Sequence, residues 1–416
     1  MANRPSALLR CPRKTNPLTS RLLDHRRDDT GIIDGSDTLS GRRSAAAEQS
    51  RSVALPSQTE EIWRYSRVDQ IDVGRFVSIA GSGCSVELPD DAVAAGVVVR
   101  RLAELTDADA SSVGELVPDS FDGLVLLAVA TLSDVVLIDV PAGAVVSTPI
   151  RIHHHITADS AVISTRVVVR SGSNSDVTVI ERATSDDVFS LFLPISELLL
   201  APSARLRYVT VQELGPRMWQ LAMQSSRAGT DSTLSTMAVA LGGSYARLRS
   251  DASIIGRGAH NELLAVYFGE GHQMHDFRTV QSHIAPNSTS DLLFKGAVED
   301  SAQSVYSGLI HIGEKAKGTI ANQTNRNLLL SANASAESVP NLEIENNEVK
   351  CSHASAVGPI DEDHRYYLES RGVPADVAER LIVLGFFADL LDRIPDDALR
   401  DQLITAVEAK FDRRSA

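Results

Sequence analysis

The residues best suited to chemistry in this 416-residue chain are Cys351 and His353. They are two positions apart, so on an extended strand both side chains fall on one face and approach a common point. A thiolate and a neutral imidazole, the latter with an ordinary pKa near ~6.5, are both transition-metal ligand types. Taken alone, Cys351 reads equally as a packed structural thiol, and His353 as a capped or surface histidine. Other constellations are weaker. The run His153-His154-His155 alternates on a strand, which sends His154 to the face opposite its neighbours and argues against a shared metal. His260, His272, His275, His283 and His311 lie near turns and are expected to stabilise them by hydrogen bonds. Glu262, Glu270 and Asp276 have no spacing that selects an acid–base pair. There is no Gly-x-Ser-x-Gly elbow and no Gly-Lys dipeptide, so the Walker A nucleotide motif is missing.

The elements that must position these residues are mainly β. Aromatic residues make up only 5% of the chain, and its 43% hydrophobic content rests on Val, Ile, Leu and Ala, which suits thin β-layers. Short β-branched or alternating runs, such as 162–169, 177–180, 205–211 and 263–268, fill residues 123–358. Turn clusters fall at Gly172, Pro202, Gly229, Arg257 and Pro286, with intervals of 30, 27, 28 and 29 residues. Later breaks at Asp300, Glu314, Ala332 and Asn347 come at about half that period. This rhythm predicts a parallel β-helix with two strands per turn and about 28 residues per rung. A β-sandwich would not keep one period so long.

Around that core, residues 1–52 are expected to be a disordered basic extension and residues 53–122 a mixed α/β segment with a short helix near Thr59–Tyr65. Residues 359–416 are expected to be a helical domain. Gly372 and Pro374 separate its first two helices, Pro395 opens the third, and Val377, Leu381, Leu384, Ala388 and Leu391 recur at helical spacing. Such a unit cannot bury its apolar face alone, so it either packs on the β-helix or docks a partner.

Charge and cysteine usage exclude several classes. Net charge is −14, with ten Lys and Arg against six Asp and Glu in residues 1–51 and an acidic remainder, which argues against nucleic-acid binding. Cys11, Cys84 and Cys351 are far apart with no CxxC spacing, consistent with a reducing cytoplasm; Cys11 and Cys84, outside the β-helix, are read as inert. No apolar run is long enough to span a membrane, and no secretory h-region is evident.

The stretch NNEVKCSHASAVG at residues 346–358, followed by Pro359-Ile360-Asp361-Glu362, resembles the exit of the β-helix in the SufD family. The segments YYLESRG (366–372), AERLIVLGF (378–386), LFKG (293–296), QTNRNLL (323–329) and PSQTEEIWRY (56–65) extend the likeness over roughly residues 55–410. The resemblance implies a right-handed parallel β-helix with a C-terminal helical domain, acting as a non-catalytic scaffold in iron–sulfur cluster assembly. It implies pairing with a SufB-like sister through the β-helix, and docking of a SufC-like ATPase on the terminal helices. Tyr366, Leu381, Leu384, Phe386, Phe387 and Leu390 are the docking candidates there. It further implies that His353, with Cys351 beside it, faces the sister subunit as a ligand of a transient nascent cluster. No cofactor is expected to stay on the isolated chain, which could pair with itself when its sister is missing. Two other readings are a carbohydrate-active β-helix enzyme, disfavoured by few aromatics and no secretion signal, and a SufB-like principal cluster acceptor, which would need more cysteine.

Overall fold

The computed structural model describes residues 36–412 except Ala80 and Ser82, so most of the expected basic extension, with Cys11, lies outside the described residues. Strands β4 (Leu132–Val140) to β19 (Lys350–Pro359) wind into a parallel β-solenoid of about eight turns. Even-numbered strands stack into one sheet and odd-numbered strands into the other, every neighbouring pair parallel. Register is regular: Tyr245 lies over Met274 and Met274 over Gln303, one rung per 29 residues.

The period seen in the sequence comes from one corner of the solenoid. Asn174, Ser203, Asp231, Gly258, Asn287 and Gly318 occupy it on successive rungs, all with positive φ. Each donates its N–H to a carbonyl on the next rung, from Asn174 to Pro202 (3.1 Å) through to Gly318 to Glu348 (2.8 Å). Only glycine and short polar residues take that conformation cheaply. At Gly258 and Gly318 a Cβ would also collide with the side chains of Asp231 and Asn287 below.

The solenoid is closed at its start and covered on both faces. Strands β2 (Cys84–Glu87) and β3 (Val98–Arg101) pair antiparallel with β5 (Ile150–Ile156) and β4 and end the parallel ladders. Helix α1 (Asp37–Gln49), helices α2 (Asp90–Ala94) and α3 (Asp107–Ala110), and helix α4 (Gly123–Ala130) belong to this N-terminal region. Trp63, Val68, Val73, Phe76 and α4 cover the even-strand sheet, against Leu193, Ile195, Leu221 and Met223. Helices α5 (Glu362–Ser370), α6 (Ala375–Leu391) and α7 (Asp397–Asp412) follow the solenoid; Val383, Phe387, Leu390, Leu403 and Val407 cover Val209, Val239, Leu264 and Val266 of the odd-strand sheet.

Three expectations need correction. Residues 37–49 are helical, not disordered: Ser36 caps the helix, Leu39 and Ala46 are buried, and Arg42 pairs with Asp119 at 2.5 Å. The solenoid does not begin at residue 123, because the eight residues of α4, all buried and capped by Asp122, form a helix first. The short helix near Thr59–Tyr65 is a single 3₁₀ turn at Glu61–Trp63.

Two buried charge clusters tie the N-terminal segment to the even-strand sheet. Glu197 lies 3.3 Å from Arg166 and accepts the backbone N–H groups of Gly114 (2.8 Å), Leu116 (2.6 Å) and Val117 (3.2 Å). Further along, Asp276 accepts from Arg247 (2.7 Å), Arg278 (2.6 Å) and the Tyr245 hydroxyl (2.7 Å). The two arginines reach on to the carbonyls of Ile62 (2.8 Å) and Arg64 (2.6 Å), and Arg247 stacks over Trp63 at 3.8 Å. Burial disfavours the Asp276 carboxylate, but Arg247 and Arg278 outweigh it and hold its pKa below the ordinary value. A depressed carboxyl stabilises the fold above its unfolded pKa of about 4 and loses that contribution as pH falls further. Asp276→Ala, which strands two buried guanidinium groups, is expected to cost about 3–5 kcal/mol in chemical denaturation and to open residues 56–76 to proteolysis.

Candidate functional site

The end of the solenoid opposite the β2–β3 cap is open. Strand β18 (Ser335–Ile344) is the last of the even sheet and β19 the last of the odd sheet, and each pairs on one side only. Hydrogen bonds between parallel strands run along the solenoid axis, so the final rung offers two ten-residue backbone edges. Most β19 side chains are exposed, including the apolar Val357, and Ile344 is exposed on β18.

Cys351 and His353 stand on this last rung, on one face of β19. Cys351 lies over Ala321 and His353 over Gln323 of β17 (Ile320–Leu329), whose Ala321, Gln323, Asn325 and Asn327 point into the lumen. The pair therefore forms the mouth of the lumen, with Cα atoms about 7 Å apart along the strand. Cys351 is half-buried against Ile310, Ile312 and Ala321, and that burial pushes its thiol above the ordinary value. His353 is exposed because no rung stacks on it. Beneath them runs a polar interior: the Tyr267 hydroxyl donates to Asn327 (2.7 Å) and accepts from Asn325 (3.2 Å), and Ser304 donates to Asn327 (3.1 Å). Gln323, directly under His353, has neither amide atom hydrogen-bonded among the described residues.

Two donors fall short of the four an iron–sulfur centre takes, so a cluster here would need ligands from a second chain. A further ligand set, missed in the sequence, lies at the same end: His311, Glu343 and Glu345 bring donor atoms within 4.8 Å of one another. His311 was expected to brace a turn; the register that sets it opposite Glu343 was invisible without the rung length.

The remaining sequence candidates resolve into structure. His153 and His155 point outward and each meets Thr184, at 2.8 and 2.9 Å, while His154 faces inward and is fully buried, as alternation requires. His275 and His283 are both buried core residues, and His283 braces the adjoining turn through Ser288 as expected. His275 meets the Gly242 carbonyl (3.3 Å) and His283 meets Ser288 and Ser290 (both 2.8 Å); burial lowers each to about 4, so both stay neutral. Glu262 and Glu270 are engaged in clamping the terminal helices, to Arg393 (2.7 Å) and Lys410 (3.2 Å).

The docking candidates divide. Phe387 and Leu390 are fully buried against the odd-strand sheet, so they are core and not contact surface. Leu384 and Phe386 are partly buried in the same packing, with Lys295 donating to the Phe386 carbonyl at 2.8 Å. Tyr366 is 72% exposed and Leu381 47% exposed, and Tyr367, overlooked in the sequence, is 59% exposed beside them.

Fold and site thus define a parallel β-helix protein with a cysteine and a histidine on one face of an unpaired end. The family profile for the SUF system FeS cluster assembly, SufBD core domain, matches residues 154–386. The chain belongs to this SufBD family, and it is SufD-like: it is 30% identical over 278 residues to the iron–sulfur cluster assembly protein SufD of Bacillus subtilis, covering 65% of this chain and 63% of that one. It is also 35% identical over 224 residues to an iron–sulfur cluster assembly SufBD family protein of Mycobacterium tuberculosis, and 36% identical over 220 residues to one of Mycobacterium leprae. These matches cover 52% and 51% of this chain, and the chain spans 56% of the length of each mycobacterial relative. No described helix is long and apolar enough to cross a membrane.

The division of the terminal helices is checked by substitution. Phe387→Ala should cost about 3–5 kcal/mol in urea unfolding by opening a core cavity. Leu381→Ala should stay within about 0.5 kcal/mol of the parent.

Proposed function

We propose that this chain is a non-catalytic scaffold subunit of iron–sulfur cluster assembly in a reducing cytoplasm. It pairs with a SufB-like sister through the final rung of its solenoid. The observation that carries this reading is the open pair of edges at β18 and β19, with Cys351 and His353 on β19 at the mouth of the lumen. A second β-helix stacked there would satisfy the free backbone groups, cover Val357 and Ile344, and supply the ligands that Cys351 and His353 lack. The nascent cluster is cargo at this junction and leaves with the transfer step, so no cofactor stays on the isolated chain. A copy of the same chain can occupy the edge when the sister is absent.

The chain has no Walker A motif, so nucleotide-driven work falls to a SufC-like ATPase. Its docking surface in this reading is the exposed Tyr366, Tyr367 and Leu381 on α5 and α6, which the core packing of Phe387 and Leu390 holds in place.

Co-purification of the full chain with both partners separates the two surfaces. Val357→Asp should lose the sister and keep the ATPase, whereas Leu381→Asp with Tyr366→Ala should lose the ATPase and keep the sister. Retention of both partners by both variants would contradict the assignment.

A further inference from the structure

Cys84, read from the sequence as inert, lies at the capped end of the solenoid. Strand β2 sets Cys84 opposite His154 of β5, and the thiol is free and half-buried. His154 beneath it is fully buried, with Nε2 3.0 Å from a carboxylate oxygen of Glu181. Glu181 is buried as well and accepts from the Ser196 hydroxyl (3.2 Å) and from the Tyr208 hydroxyl. An ionised carboxylate can only accept, so the proton between the two side chains sits on Nε2. That leaves Nδ1 as the atom free to take a proton, and among the described residues it has no hydrogen-bond partner. Cys84 faces the ring from the paired strand, its thiol donating to the Ser85 carbonyl at 3.9 Å, and Phe192 packs against the ring at 5.6 Å. Burial opposes charge on His154, but the Cys84 and Glu181 interactions outweigh it and raise the imidazole to about 10. A second cation stands close by: Arg101 donates to the Cys84 carbonyl at 3.2 Å and pairs with Asp134, with Glu104 nearby.

A half-exposed cysteine opposite a buried histidine that a carboxylate orients, with an arginine on its backbone carbonyl, is an arrangement that can activate a thiol. We propose that Cys84, His154 and Glu181 form a reactive-thiol site at which Cys84 exchanges with small-molecule disulfides. The Cys84 proton passes to Nδ1 of His154, and Glu181 holds the resulting imidazolium through Nε2–H. The thiolate attacks one sulfur of the disulfide. A Cys84–sulfur bond forms as the original sulfur–sulfur bond breaks, and the departing thiolate recovers the proton from Nδ1 and leaves as a thiol. The disulfide is the only oxidant, and the product is one mixed disulfide per chain.

The test incubates the full chain with oxidised glutathione from pH 6 to 8 and follows each cysteine by peptide mass. At pH 7 Cys84 should react roughly tenfold faster than Cys351, and its rate should change little over that range, whereas the Cys351 rate should rise about tenfold per unit of increasing pH. His154→Gln should bring Cys84 down to the Cys351 rate, and His153→Gln should leave it unchanged. Equal rates and equal pH slopes at Cys84 and Cys351 of the parent chain would overturn the proposal, and that comparison holds even if His154→Gln folds poorly. A Cys84 rate unaffected in folded His154→Gln would overturn it as well.

Discussion

Backbone hydrogen bonding along the solenoid axis governs this molecule. Each strand from β4 to β19 can satisfy its N–H and C=O groups only through the rungs on either side of it, so neither end can be left alone. At the start the chain solves this internally, turning β2 and β3 antiparallel so that no further parallel rung is required. At the other end it does nothing: β18 and β19 stop with one side of each unpaired. A ten-residue edge with exposed Ile344 and Val357 is a standing invitation to another β-structure, and isolated proteins usually block such edges. Here the block is missing where Cys351 and His353 emerge.

The two sheet faces follow from the same geometry. Stacked rungs put one row of apolar side chains in the lumen and another outside, and the outer row needs a cover. The N-terminal segment and α4 cover one sheet, and α5–α7 cover the other. The covers are fixed by charge as well as by packing. Asp276 and Glu197 lie under the first, and the Lys295–Asp389 (2.6 Å) and Arg151–Asp396 (2.5 Å) pairs lie at the second. Burying charges such as Asp276 and Glu197 contributes little net stability when they are paired and costs a great deal when one partner is lost, which suits contacts that fix where a cover sits.

The solenoid was legible because its corner demands αL residues once per rung, and that demand writes Gly, Asn, Asp and Ser into the sequence at a steady interval. The shared face of Cys351 and His353 followed from strand alternation alone. What stayed hidden depends on the third dimension. Helix α1 buries little more than Leu39 and Ala46, too faint a stripe to stand out in a polar stretch. Helix α4 is apolar all round, so it has no period to separate it from a buried strand. Phe387 and Leu381 belong to one helix, and nothing in their spacing says which of them meets the sheet. The partnership of Cys84, His154 and Glu181 joins three strands through rung register, which no local pattern encodes.

The most direct test of the central claim is hydrogen–deuterium exchange on the full chain with and without a SufB-like sister subunit, read at residues 335–359. The account predicts fast exchange of outward-facing amides on β18 and β19 in the free chain and strong protection in the complex, with the β2–β3 cap unchanged. Binding that leaves those amides exchanging as before, or that protects the cap instead, would contradict it.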